Sequence, residues 1–340
     1  MKKSMDRRGF MGRAAMISGA LAISANAANS DEVTAPSSAT PSTSGSFSQD
    51  KNRVHIYSPH IRKPFKILMI ADTHLFRDDE RGEKYREFSA RMAKAYNQTK
   101  HFQTGKTTNP EEGLKEALQK AKAQQADLVA LVGDIVSFPS EAAIEWAMAR
   151  IQETGLPWFY TAGNHDWHYE GMEGSADSLR AKWIDQRLAP FYQNDGRLMS
   201  VRELNGTRII SIDNSTYEIL PEQLEFFRKQ VATGAPLVLF VHIPLYAPGR
   251  DLDYGCGNPE WGAKNDHSYQ LERRQKWREG GHTKVTMDFH REVFSCSNLL
   301  GVFAGHTHRA ALDVMNGIPQ FVTDANATGA YMELEFLPVA

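Results

Sequence analysis

Between residues 65 and 310, short apolar runs alternate with segments in which apolar positions recur every three or four residues. The runs FKILMIA (65–71), DLVALVG (127–133), LPWFYTAG (156–163), TRIISID (207–213), APLVLFVH (235–242) and LLGVFAG (299–305) have strand length. They are rich in β-branched and aromatic residues, which predicts strands. Between them, NPEEGLKEALQKAKAQQ (109–125) places Leu114, Ala117, Leu118 and Ala121 on one helical face, with Asn109 as cap and Pro110 in the first turn. SEAAIEWAMARIQETG (140–155) does the same with Ile144, Ala147, Met148 and Ile151, capped by Ser140 and closed by Gly155. LPEQLEFFRKQVATG (220–234) predicts a third helix. The alternation predicts a layered α/β domain.

The first sixty residues carry a different pattern. MKKSMDRRGFMGRAAMISGALAISANA (1–27) reads as a basic stretch, a modestly apolar stretch and a small-residue cleavage site at Ala25-Asn26-Ala27, so processing is expected near Ala27. Arg7 and Arg8, followed by Gly9 and Phe10, resemble the twin-arginine export signal, which implies the twin-arginine machinery as a partner and a periplasmic or extracellular location. The apolar stretch is shorter than the ~20 residues a membrane span needs, so no span is expected in the mature chain. Residues 28–53 are rich in Ser, Thr, Pro and Ala, with little to bury. They are expected to form a flexible tether, with structure beginning near Val54 and the catalytic domain filling 54–340.

Composition adds bounds. A chain of 340 residues, 41% hydrophobic and 24% charged, is long enough for a sizeable core, and a net charge of −2 offers no bulk attraction to nucleic acid or anionic lipid. Two cysteines, Cys256 and Cys296, lack the spacing of a thiolate metal site; pairing and two free thiols are both open.

The candidate chemistry lies where the runs end. Asp72 and His74 follow the first, Asp134 the second, Asn164, His165 and Asp166 the third, His242 the fifth, and His306 and His308 the last. Each type has an ordinary use as a cap, a turn residue or a satisfied core histidine. Five strand ends carrying metal-ligand types in one chain are better explained by one shared site, because ligands converge at the carboxyl ends of strands in α/β sheets. The two-residue spacing of Asp72 with His74, and of His306 with His308, would put each pair on one face of extended backbone. Gly133, Gly163 and Gly305 precede ligand positions and permit close approach of backbone.

In this order the fragments resemble the signature of the calcineurin-like metallophosphoesterases, across residues 65–310. The resemblance implies a four-layer fold, a central β-sandwich flanked by helices, with two metal ions at the carboxyl ends of the strands. It implies that Asp72, His74 and His308 hold one ion and Asn164, His242 and His306 the other, with Asp134 bridging. His165 would stand beside the metals as the catalytic residue. Carboxylate, imidazole and amide oxygen suit divalent or mixed-valence ions such as Mn, Fe or Zn. The activity implied is hydrolysis of a small phosphorylated substrate, a phosphomonoester or a phosphodiester, by a metal-activated water. The alternative is a non-catalytic, metal-bearing surface module that binds a phosphorylated ligand. Where relatives in the purple acid phosphatases carry a tyrosine ligand, this chain has Ser137. Asp166 is expected to orient a histidine, and His168 to line the pocket. Arg273 or Arg274 is expected to clamp a phosphate from the polar segment 247–297, for which a solvated surface insertion is the alternative, with 76–108 as a second wall.

Overall fold

The computed structural model describes residues 45–90, 92–95, 98–248 and 282–339. The expected signal segment, Cys256, Arg273 and Arg274 lie outside the described residues.

In chain order the main strands are β1 (Ser46–Asp50), β2 (Arg53–Ser58), β3 (Phe65–Ile70), β4 (Leu128–Val132), β5 (Trp158–Thr161), β6 (Met199–Leu204), β7 (Thr207–Ile212), β8 (Leu237–Phe240), β9 (Leu299–Ala304), β10 (Ala311–Met315), β11 (Ile318–Val322) and β12 (Met332–Pro338). The main helices are α1 (Pro110–Ala123), α2 (Glu141–Gln152), α3 (Ala176–Trp183), α4 (Pro221–Val231) and α5 (Lys284–Val293). Caps start the helices where the sequence places them: Asn109 Oδ1 accepts from the Glu112 amide at 3.1 Å, and Ser140 Oγ from the Ala143 amide at 3.3 Å.

Two six-stranded sheets result, in the orders β1-β2-β12-β3-β4-β5 and β10-β11-β9-β8-β7-β6. In the first sheet β3, β4 and the edge strand β5 are parallel, and β12 runs parallel to β2 and antiparallel to β3; in the second the inner β7, β8, β9 and β11 are parallel; the pairs β1/β2, β6/β7 and β10/β11 are antiparallel. Parallel strands are buried on both faces, which is why these runs are continuously apolar rather than alternating.

Three apolar layers separate the elements. Between the sheets, Met69, Ala130, Val132 and Phe159 of one face pack with Val238, Phe240, Phe303 and Phe321 of the other. A chain of rings crosses this interface: Phe159 to Phe240 at 5.1 Å, Phe240 to Phe303 at 5.3 Å and Phe303 to Phe321 at 5.2 Å between centroids. Outside the first sheet, Leu68, Val129 and Leu131 meet Leu114, Ile144 and Trp183. Outside the second, Ile210, Leu239 and Val302 meet Leu224, Phe227 and Phe289. The architecture is the four-layer α/β sandwich expected.

Several expectations need correction. Ordered structure begins before Val54, because Ser46–Asp50 pairs antiparallel with Arg53–Ser58 and Phe47 sets its ring edge-on against Phe321 at 5.4 Å. A half-buried aromatic and the pairing with Arg53–Ser58 hold a segment whose composition reads as a tether. Part of the polar segment 247–297 is also core: α5 buries Phe289 and Val293, four residues apart, against the second sheet. Cys296 is a buried free thiol whose Sγ donates to Asn298 Oδ1 at 3.1 Å. Among the described residues, no helix is long and apolar enough to cross a membrane.

Candidate metal centre

The carboxyl ends of β3, β4, β5, β8 and β9 open on one point between the sheets. Past the strand ends the loops stay bonded to each other: the Asp72 amide donates to Gly133 O at 3.0 Å, that of His74 to Asp134 O at 2.9 Å, and that of Gly305 to His242 O at 3.0 Å. The backbone is not extended there. Asp72, His74, Asp134, His306 and His308 all have left-handed φ, from 53° to 70°. The D-x-H and H-x-H pairs therefore converge through turns, not through the alternation of a strand. Each such residue costs about 1–2 kcal/mol, a strain that persists where the surroundings impose it and that clusters at functional sites. The glycines do what their positions imply. A Cβ on Gly163 would overlap the Asp134 carboxylate, and one on Gly305 the Asp72 carboxylate.

Two donor sets result, Asp72, His74, Asp134 and His308, and Asp134, His242 and His306, each with ligand atoms within 4.8 Å of one another. Asp134 belongs to both. His74 Nε2 lies 2.9 Å from His308 Nε2; His308 Nε2 is 3.2 Å from Asp72 Oδ1, and His242 Nε2 is 3.2 Å from Asp134 Oδ2. His242 Nδ1 meets the Val132 carbonyl at 2.9 Å, which turns Nε2 toward the centre. Asn164, buried between Gly163 and His165, has neither Oδ1 nor Nδ2 hydrogen-bonded. A buried amide without partners is costly unless something outside the chain satisfies it.

The electrostatics agree with cation binding. Burial alone would raise the Asp134 carboxyl, yet the His242 and His165 imidazoles hold it well below the usual range. His242 is buried, which lowers its pKa, but Asp134 and Asp72 raise it to about 9. Burial, then His308, pushes His74 well below its ordinary value, leaving a neutral imidazole as metals require. The donor set, its orphaned amide and its buried carboxylates fit two cations.

Supporting residues complete the site. Asp166 does not orient a histidine; its carboxylate accepts the amides of Asp134 and Gly163 through Oδ2 at 2.8 Å each, and that of Val136 through Oδ1 at 2.9 Å. It holds the loop that presents Asp134. Burial, then Asp134, raises its pKa to about 7 against the Val136 and Gly163 amide bonds. Ser137 Oγ donates to His74 O at 3.0 Å. The His165 amide donates to Asp134 Oδ1 at 2.8 Å, and its ring lies 4.9 Å from that of His74 and 6.4 Å from that of His168. His165 belongs to neither donor set.

Two contributors escape sequence reading. Buried Asn326 accepts from Thr73 Oγ1 at 2.9 Å and donates to the Gly113 and Ala330 carbonyls at 3.2 and 2.8 Å; its amide, and that of Ala327, bond Ala71 O and Asp72 O at 2.9 Å. Tyr217, with left-handed φ of 66°, brings its hydroxyl to 3.3 Å from His306 Nε2. The turn-like DANATG (324–329) is a weak signal for the first, and nothing in the sequence marks the second. The short helices and hairpin of 76–108 lie against the first sheet's outer layer through Phe76, Tyr85, Phe88 and Phe102.

Buried carboxylates and imidazoles form two sets that share one aspartate at the strand ends of a four-layer sandwich, an arrangement that fits a dinuclear metal centre. Residues 65–310 match the family model of the calcineurin-like phosphoesterases, and the chain belongs to that family. It is similar to a probable cyclic nucleotide phosphodiesterase of Psychrobacter arcticus, 23% identical over 62% of this chain and 66% of the relative. A probable cyclic nucleotide phosphodiesterase of Moraxella catarrhalis is 30% identical over 31% of this chain and 29% of the relative. The chain thus spans less than two-thirds of the length of either. A dimetal phosphatase of Danio rerio aligns with 79% of this chain and 91% of its own at 12% identity and a TM-score of 0.48.

Proposed function

We propose that this protein is an exported dinuclear phosphoesterase whose substrates include phosphodiesters of the nucleotide type. The observation that carries the reading is Asp134, a buried carboxylate within ligand distance of both donor sets. In this reading Asp72, His74 and His308 hold one ion, Asn164, His242 and His306 the other, and Asp134 bridges them. Mn, Fe or Zn suit such donors better than thiophilic metals. When bound, the pair supplies Lewis acidity toward phosphate oxygens and a water acidified toward neutrality.

The chain's own residues supply the rest. Asp134 sets the spacing of the two positions. Asn164 offers an oxygen without another negative charge, which an anionic substrate would feel as repulsion. His165, outside both donor sets and next to them, holds a proton for the departing alkoxide, a role typically contributing about 10²–10⁴-fold. His168 flanks it.

The names of the two bacterial relatives support the nucleotide preference. The test is a panel of p-nitrophenyl phosphate, bis-p-nitrophenyl phosphate, and cyclic and linear nucleotides, with the protein stripped by chelator and reloaded with Mn, Fe or Zn. Diester turnover that vanishes with chelation and returns with metal is expected; two metals per chain with no turnover of any substrate would refute the reading.

Export rests on Arg7 and Arg8. Replacing both by lysine should leave active, metal-loaded protein in the cytoplasm, and unchanged export would remove the twin-arginine route.

A further inference from the structure

Of the six predicted strands, β7 alone ends without a metal-ligand candidate of the centre, yet the loop that follows, DNSTY (213–217), is among the most buried polar stretches of the molecule. Each of its side chains has a definite partner. Asn214 grips the residue after His242 from both sides, Nδ2 donating to Ile243 O at 2.6 Å and Oδ1 accepting from the Ile243 amide at 3.0 Å. The Tyr217 hydroxyl meets His306 Nε2 at 3.3 Å. Ser215 Oγ accepts the indole N–H of Trp167 at 2.8 Å and donates its own proton to Asp213 Oδ1 at 2.5 Å, an oxygen that also takes the Ser215 amide at 2.8 Å. Arg180, from α3, sets Nη1 3.8 Å from Asp213 Oδ2 and 3.5 Å from Thr216 Oγ1. Both ionic partners are buried, at 5% and 1% exposure, so the carboxylate is held by charge as well as by hydrogen bonds.

We infer that loop 213–217 is a positioning element of the centre, and that Ser215, ordered by Asp213, fixes His165 through Trp167. Trp167 is fully buried and lies two residues after His165, in the turn closed by the His168 amide donating to His165 O at 3.1 Å. Its indole has one N–H donor, and Ser215 accepts it from the opposite sheet. The direction of the chain, indole N–H to hydroxyl to carboxylate, is fixed, because the indole only donates and the carboxylate only accepts. A hydroxyl with both its proton and a lone pair committed cannot rotate. The turn that carries His165 is thereby tied to the strand next to that of His242, so the imidazole keeps one place relative to the second donor set. The inference rests on the role proposed for His165.

The test is a double-mutant cycle on the full-length, metal-loaded enzyme with Ser215→Ala and His165→Ala, read with an alkyl phosphodiester and with bis-p-nitrophenyl phosphate. Ser215→Ala should keep both metals and KM and lower kcat roughly ten- to a hundredfold, the scale of an ångström's misplacement, more on the alkyl ester than on the nitrophenyl ester. In the His165→Ala background it should lower kcat no further, since a positioning residue has nothing left to position. An equal fold-loss in both backgrounds would overturn the inference and leave Ser215 a purely structural group. No loss from His165→Ala itself would remove the proposed role of His165, and this inference with it. An independent reading comes from the metal-free protein: the Trp167 indole proton, assigned by its disappearance in Trp167→Phe, should move upfield in Ser215→Ala. An unmoved resonance would refute the hydrogen bond on which the inference depends.

Discussion

Asn326→Ala tests whether the turn behind the centre is what holds Asp72 in place. The wild-type side chain is fully buried and makes three hydrogen bonds, from Thr73 Oγ1 and to the Gly113 and Ala330 carbonyls. Alanine leaves a hydroxyl and two carbonyls without these partners. At a net ~1 kcal/mol per bond, with more for any group that water cannot reach, the loss is about 3 kcal/mol. For a domain of this size that lowers the midpoint of thermal unfolding by roughly 2–4 °C per kcal/mol. The second consequence is local. Thr73 lies between Asp72 and His74, and the amides of Asn326 and Ala327 bond Ala71 O and Asp72 O, so a loosened turn frees two members of one donor set. Urea unfolding of the metal-free protein gives the first quantity, and metal titration by calorimetry gives the second. The expected result is lower stability together with weaker binding of one ion. A variant that loses 3 kcal/mol yet binds both ions as tightly as wild type would show that Asp72 and His74 need no support from this turn.

Asp134→Ala should strip both ions while His74→Ala weakens mainly one, as elemental analysis of the purified variants will report; full two-metal occupancy in Asp134→Ala would exclude the shared-ligand assignment. Glu218 gives a pH prediction away from the centre. Hydrogen bonds from His282, Thr286 and Thr283 outweigh its partial burial and bring its pKa down to about 2 from an ordinary 4.5. A carboxyl lowered on folding contributes stability that is complete above its unfolded pKa and is lost as pH falls from about 4.5 toward 2. Because the group is partly exposed, the effect is modest. Glu218→Gln should flatten the acid limb of stability over that window in urea titrations, and an unchanged limb would rule out the Glu218 contacts as its source.

The set of elements and the chemistry at their ends are legible along the chain. Short β-branched apolar runs such as LVALV and LVLF, bounded by turn residues, read as doubly buried strands, and the caps Asn109 and Ser140 start helices by local hydrogen bonds that need no tertiary partner. The order of Asp, His and Asn after those runs identifies the family, because such residues at several strand ends have one economical common explanation. Tertiary structure decided everything that depends on a partner distant in sequence. The sequence spacing makes Asp72 and His74 look like neighbours on an extended strand, whereas the fold turns both into left-handed backbone against the Gly133–Asp134 loop. Asp166 follows a histidine in sequence, but the amides it accepts sit around a carboxylate over thirty residues away. Phe47 lies in a polar stretch that joins a sheet through pairing with Arg53–Ser58 and its ring on Phe321, and Asn326, Tyr217 and Ser215 earn their places through contacts with Thr73, His306 and Trp167. Periodicity and capping are properties of a few adjacent residues and can be read along the chain. The satisfaction of buried polar groups is a property of the packed whole, and it exists only once the two sheets have closed on each other.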